Sequence, residues 1–207
     1  MKCCFSFYLF LTIFFFQTEK ISAQGNVAAD SLKPKTHQLK VDFLAPITGN
    51  FTIGYETFLS NHLSFDFRVG IIGLGYHDYY NKLQGLFFKF EPNFYILPNN
   101  FPEIDNSRSH FQGTYFSPAL ILNAFSYNTG HNYNHVTSEA FTLNLGHQFV
   151  FNNILSLNIY GGAGYSFYQE HDGNPYRSEN YFFSHLIVNE YLPFCLDGGI
   201  ELGISFR

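Results

Sequence analysis

The sequence predicts an all-β protein, an eight-stranded antiparallel up-and-down transmembrane β-barrel. Three observations carry that prediction. Apolar and polar residues alternate with period two in eight segments, as on strands whose successive side chains point to opposite faces. Charged residues make up 13% of the 207 residues and aromatic residues 20%, with 27 Phe, 15 Tyr and no Trp. About a quarter charged is usual for a soluble domain. Finally, an apolar block near the N-terminus has the layout of an export signal.

That block is residues 5–16 (FSFYLFLTIFFF), preceded by Lys2 and closed by Ile21-Ser22-Ala23-Gln24. A short charged start, an apolar centre and a small residue at the end describe a signal peptide spanning 1–23. It is too short for a spanning helix, which needs roughly 20 apolar residues. Its removal takes Cys3 and Cys4 away, leaves Cys195 without a disulfide partner, and makes the net charge of −5 one unit more negative. No run of Lys/Arg is present, which argues against nucleic acid as a partner. Residues 24–38 lack periodicity and read as a flexible leader; residues 39–207 are the expected barrel domain.

From Leu39 the period is two. Leu39, Val41 and Phe43 alternate with Lys40 and Asp42. Phe51, Ile53 and Tyr55 alternate with Thr52, Gly54 and Glu56, and Leu63 to Ile71 alternate with Ser64, Asp66, Arg68 and Gly70. Leu86, Phe88 and Phe90 alternate with Phe87, Lys89 and Glu91; residues 111–127 form a noisier segment around Pro118. Phe141 to Phe149, Leu155 to Ile159 and Ile200 to Phe206 complete the set. Short connections are expected at Leu59–His62 and Asn152-Asn153, on the side of the chain ends. Longer outer loops are expected at 77–84, 128–138 and 169–191, the asymmetry of outer-membrane barrels. Pro92, Pro118 and Pro193 each remove a ladder donor and are expected at bulges or near the membrane interfaces.

Two architectures fit this pattern. A soluble exported barrel or sandwich turns the apolar face inward; a transmembrane barrel turns it to lipid. The polar track carries Lys40, Asp42, Glu56, Asp66, Arg68, Lys89, Glu91 and Glu201. Opposite charges of this kind can pair across the narrow lumen of eight strands, which side chains fill. The expectation is a structural ion-pair network that leaves no open pore, with bilayer lipid around the outside.

The order and spacing of several short motifs resemble the small eight-stranded outer-membrane β-barrel proteins of Bacteroidota, a domain-of-unknown-function type with an OmpA/OmpX-like barrel. Phe51-Thr-Ile-Gly-Tyr-Glu56 resembles the family's second strand. Leu143-Asn-Leu-Gly-His-Gln148, the Asn-Asn turn and Leu155-Ser-Leu-Asn-Ile-Tyr-Gly-Gly-Ala-Gly-Tyr165 resemble its Gly-Tyr hairpin, and Gly199-Ile-Glu-Leu-Gly-Ile-Ser-Phe206 its closing strand. His147 stands where an aromatic is usual, and Arg207 follows the terminal aromatic that the β-barrel insertion machinery reads. The resemblance implies a fold and a bacterial outer membrane, but carries no shared catalytic residues.

No cofactor, metal or catalytic set emerges. His131, His135, Glu139, His171 and Asp172 lack the helical spacing that would converge on a metal. Gly161-Gly162-Ala163-Gly164 precedes no helix and cradles no phosphate; it reads as room for lumen side chains. Ser184-His185 with Glu179 or Glu190 would be the core of a lipid A-modifying enzyme, yet neighbours on a strand face opposite ways. Tyr76, Tyr79, Tyr80, Tyr165, Tyr168, Phe182 and Phe183 suit an interfacial belt. Tyr176, Arg177, Tyr181, Phe182 and Phe183 in the last long loop are the candidate surface-contact residues for a ligand whose identity the sequence does not give.

Overall fold

The computed structural model describes residues 35–60, 62–73, 83–96, 111–128, 133–152, 154–171, 181–182, 184–187 and 193–207. The expected signal peptide, most of the leader, and the expected loop tips around residues 76–80, 131 and 176–177 lie outside them, as do residues 97–110.

Eight strands form the wall: β1 (His37–Asp42), β2 (Asn50–Ser60), β3 (Leu63–Ile72), β4 (Gln84–Ile96), β5 (Gly113–Asn128), β6 (Tyr133–Phe151), β7 (Leu155–His171) and, last in the chain, β10 (Phe194–Phe206). Each pairs antiparallel with its neighbours, and β1 closes on β10 with Leu39 opposite Ile204 and Asp42 opposite Glu201. The result is a closed eight-stranded barrel. Two further strands, β8 (Tyr181–Phe182) and β9 (His185–Ile187), form a small hairpin that joins the edge of β10. A 3₁₀ turn, η1 (Ala45–Thr48), links β1 to β2; Pro46 opens it and Gly49, at φ 76°, closes it in the left-handed region that glycine tolerates. We call the end bearing η1 and the β8–β9 hairpin the mouth, and the end bearing His37 and Arg207 the base.

The polarity of the wall is inverted relative to a soluble protein. Leu143, Leu145, Leu155, Val69 and Leu202 are each about half exposed on the outside, whereas Arg68, Lys40, Glu56, Asp66 and Glu201 are at most 2% exposed on the inside. Along β6 the outward apolar track runs from Phe141 to Phe151. Ten steps of roughly 3.3 Å on a strand tilted about 40° give a height of about 25 Å, that of an outer-membrane barrel's apolar band. At the base, His37, Tyr55 and Phe206 cluster on the outer surface with ring centroids 5.8–6.4 Å apart.

The structure corrects several sequence expectations. β1 begins at His37, inside the expected leader. β5 and β6 pair without a break from Gly113↔Gln148 to Asn128↔Tyr133, so most of the expected loop 128–138 is wall. A backbone ladder can continue past the apolar band because it needs no apolar side chains. The turn after β6 runs from Asn152 to Ile154, with Asn152 at φ 52°, a conformation asparagine tolerates. Pro92 and Pro118 sit at neither bulge nor interface. The β4–β5 register is the same at Phe90↔Leu120 and at Phe94↔Phe116, which puts the two prolines opposite one another in mid-wall. Each lacks an N–H, and the ladder is interrupted there without a shift. Pro193 does precede a strand, and its carbonyl accepts from the Ser166 N–H at 2.7 Å.

Candidate functional site

The lumen is filled in layers. At the base, Phe58, Tyr95, Phe111 and Tyr115 stack with centroids 5.1–5.4 Å apart. The Tyr115 ring lies where a Cβ at residue 146 would stand, so only Gly146 lets it cross the lumen. Tyr95 Oη donates to Glu56 Oε1 at 3.0 Å, as does Asn93 Nδ2 at 2.9 Å and the Ser64 hydroxyl. Beside them Gln148 Nε2 donates to Gln38 Oε1 at 2.7 Å, and Gln38 in turn contacts Ser156.

Above the base the charges alternate along the axis. Lys40 Nζ lies 2.6 Å from Glu56 and 2.8 Å from Asp66. Arg68 reaches Asp66 at 3.0 Å, Glu91 at 2.5 Å and Glu201 at 2.5 Å. Lys89 continues the series to Glu91 at 3.0 Å and Asp197 at 2.6 Å. Glu201 also accepts from Asn158 Nδ2, and Asn144 Nδ2 contacts both Glu91 and Asp197 at 2.7 Å. Arg68 and Lys89 both sit over the Tyr160 ring, 4.7 and 4.3 Å from its centroid, a favourable cation–π geometry. Gly199 makes room for that ring, since a Cβ there would lie 2.8 Å from its hydroxyl.

Seven of the eight charged residues expected on the polar track are therefore brought together. Asp42 stands apart at the mouth: its Oδ1 accepts from the N–H groups of Leu44 and Ala45, at 2.8 and 3.2 Å, and starts η1. It is the last residue of β1 and lines the same cavity as Lys89, but its carboxylate serves the turn that follows. Asp197 and Tyr160 complete the network and were not singled out from the sequence. Asp197 was legible only by extending the last strand back through Gly198 and Gly199 to Phe194, where inward and outward positions still alternate.

At the mouth the β8–β9 hairpin docks into the lumen. Ser184 lies in its turn, not in a strand, and this overturns the expectation that Ser184 and His185 diverge: Ser184 Oγ is 3.0 Å from His185 Nδ1. Ser184 donates to Asn123 Oδ1 on β5 at 2.7 Å, and His185 Nε2 lies 2.8 Å from Ser166 Oγ on β7. The neighbouring apolar layer consists of Ile121, Val136, Ala140 and Cys195. Tyr176, Arg177 and Phe183 lie outside the described residues, and for Tyr181 and Phe182 only the backbone is placed, as β8. His135 is exposed on β6, with its backbone opposite His171 of β7; among the described residues no three His, Cys, Asp or Glu converge on a metal position. Gly162 and Gly164 face β6 closely: a Cβ at either would meet β6 backbone.

A cavity of about 300 Å³ opens between the hairpin, η1 and β10, lined by Asp42, Leu44, Lys89, Tyr160, His185 and Asp197 among others.

No protein-family model and no curated protein matches this chain. Among solved structures, the N-terminal β-barrel domain of Pseudomonas aeruginosa OprF is similar in fold, with a TM-score of 0.51 and 11% identity, covering 84% of this chain and 98% of that one.

Proposed function

We propose that this chain is a small outer-membrane β-barrel with its mouth to the cell exterior. In this reading it is a structural or surface-contact protein acting through the connections at its mouth. It is neither an open pore nor an enzyme. The observation that carries the proposal is the inverted wall: apolar side chains outside, ion pairs inside. An apolar belt about 25 Å tall is costly in water and matches a bilayer. The filled layers between Phe111 and Asp197 support a closed lumen, as a water-filled channel belongs to barrels of about 16 strands. The expected partners are outer-membrane lipid, the insertion machinery that reads the closing strand at Phe206, and an unidentified surface ligand. The motifs shared with the Bacteroidota barrels support the same compartment.

Three measurements test this. Heat-modifiable gel migration and recovery in the outer-membrane fraction support it. Protease cleavage at Arg177 on intact cells places the mouth outside. Recovery in a detergent-free periplasmic fraction, or steady conductance across a planar bilayer, contradicts it.

The Ser184–His185 contact supports a second reading, a lipid-modifying enzyme. The proton arrangement weighs against it. Ser184 spends its proton on Asn123, so Nδ1–H of the imidazole donates to Ser184 and Nε2 accepts from Ser166. The hydroxyl aimed at a base is then Ser166, which is 1% exposed and is not part of the cavity lining. Unchanged lipid A mass spectra on deletion of the gene sustain the non-enzymatic reading; a change reversed by wild type but not by His185→Ala establishes the enzyme.

A further inference from the structure

The wall has an opening on the side. On the edge of β10 away from β7, β1 pairs up to Asp42↔Glu201 and the Phe43 N–H still reaches the Ile200 carbonyl. The hairpin strand β9 takes the same edge again only at Leu196 and Cys195. Continued in register, Leu44, Ala45 and Pro46 would face Gly199, Gly198 and Asp197. Asp42 instead captures the N–H groups of Leu44 and Ala45, Pro46 has none to give, and the chain turns away as η1. Among the described residues no strand pairs with this edge of β10 from Asp197 to Gly199. Gly198 is exposed at this gap, and the outward Leu186 and Leu196 flank it.

The mouth cavity reaches this window, since its lining includes the outward Leu186, Leu196 and Gly198 as well as the inward Lys89, Tyr160 and Asp197. Its volume of about 300 Å³ is enough for a polar head group. The inner wall favours positive charge. The buried network among the described residues holds three cations (Lys40, Arg68, Lys89) against five carboxylates (Glu56, Asp66, Glu91, Asp197, Glu201), and Asp42 adds a further carboxylate at the rim. Asp197 is 6% exposed, and its Oδ1 has no hydrogen-bond partner among the described residues. That atom wants a donor, and Lys89 already serves the other oxygen.

We propose that the window between η1 and β9 admits, sideways from the bilayer, the head group of an amphiphile bearing a primary ammonium. The ammonium donates to Asp197, and the chains lie outside along Leu186 and Leu196. This inference rests on the membrane reading above and adds a ligand class to it.

The test uses the full chain folded into vesicles of mixed phosphatidylethanolamine, phosphatidylcholine and phosphatidylglycerol. After detergent extraction, retained lipid is measured by native mass spectrometry. Phosphatidylcholine carries the same charge without an N–H, so a preference for phosphatidylethanolamine of about tenfold is expected, the worth of one charge-assisted hydrogen bond. Asp197→Asn abolishes the preference. Gly198→Phe, placed on the outward lip, abolishes retention while heat-modifiable migration persists. Equal retention of ethanolamine and choline lipids, preferred retention of phosphatidylglycerol, or retention unaffected by Gly198→Phe overturns the proposal. Equally tight binding of free phosphoethanolamine from water overturns entry from the membrane. Insertion without preference sinks this inference alone; failure to insert sinks the membrane reading and this inference with it.

Discussion

Arg68 is the hub of the lumen, and replacing it with Met is the most informative single perturbation. The guanidinium is 2% exposed, touches Asp66, Glu91 and Glu201 within 3.0 Å, and stacks on Tyr160. Met keeps much of the volume but removes the group that bridges all three carboxylates. Breaking a buried ion pair by deleting one partner costs roughly 3–5 kcal/mol, because the remaining charge stays desolvated. The folded-to-unfolded ratio should therefore fall by more than about a hundredfold. Arg68→Lys keeps the charge but loses the planar fork and should fall between Met and wild type. Urea titration of the vesicle-inserted protein, with the folded fraction read from heat-modifiable migration, measures this. Glu139→Gln, exposed on β6, serves as a control expected within about 0.5 kcal/mol of wild type. A loss below about 1 kcal/mol for Arg68→Met would refute the reasoning, since breaking a buried ion-pair network costs several kcal/mol.

Gly199→Val should collide with the Tyr160 ring and cost about 1–3 kcal/mol, read by the same urea titration, with partial rescue by Tyr160→Ala. Gly146→Val should be destabilised in the same way by Tyr115, whereas Gly161→Ala, whose Cβ would meet nothing closer than 4.0 Å, should migrate and unfold as wild type does.

The wall was legible because period two survives in each strand wherever one face meets lipid and the other a filled lumen. The inner track of Lys40, Glu56, Asp66, Arg68, Lys89, Glu91 and Glu201 follows from that parity alone. Their pairing does not. Which residues meet across the barrel depends on the stagger between strands, so contacts such as Lys89 to Asp197, 108 residues apart, are invisible in any one segment. Asp197 was hidden by Gly198 and Gly199, which carry no polarity with which to extend the alternation. Asp42 follows the same parity and lines the mouth cavity with Lys89, but as the last residue of β1 its carboxylate accepts from the N–H groups of the turn that follows, which parity does not show. The upper half of β6 carries polar outward residues such as His135 and Thr137, and so it resembled a loop. The meeting of Ser184 with His185 depends on a hairpin whose register is set by β10, not by its own residues.

The inverted wall has a direct test, helped by the absence of Trp from the chain. A single Trp is introduced either as Leu143→Trp, at a position 49% exposed on the outer face, or as Phe87→Trp, at a position 6% exposed in the lumen. The protein is folded into vesicles whose acyl chains carry bromine, a contact quencher of indole fluorescence. Strong quenching in the Leu143→Trp variant with little in Phe87→Trp is the expected result. An unquenched indole in the Leu143→Trp variant, or equal quenching in both, contradicts the membrane-facing assignment of the apolar track.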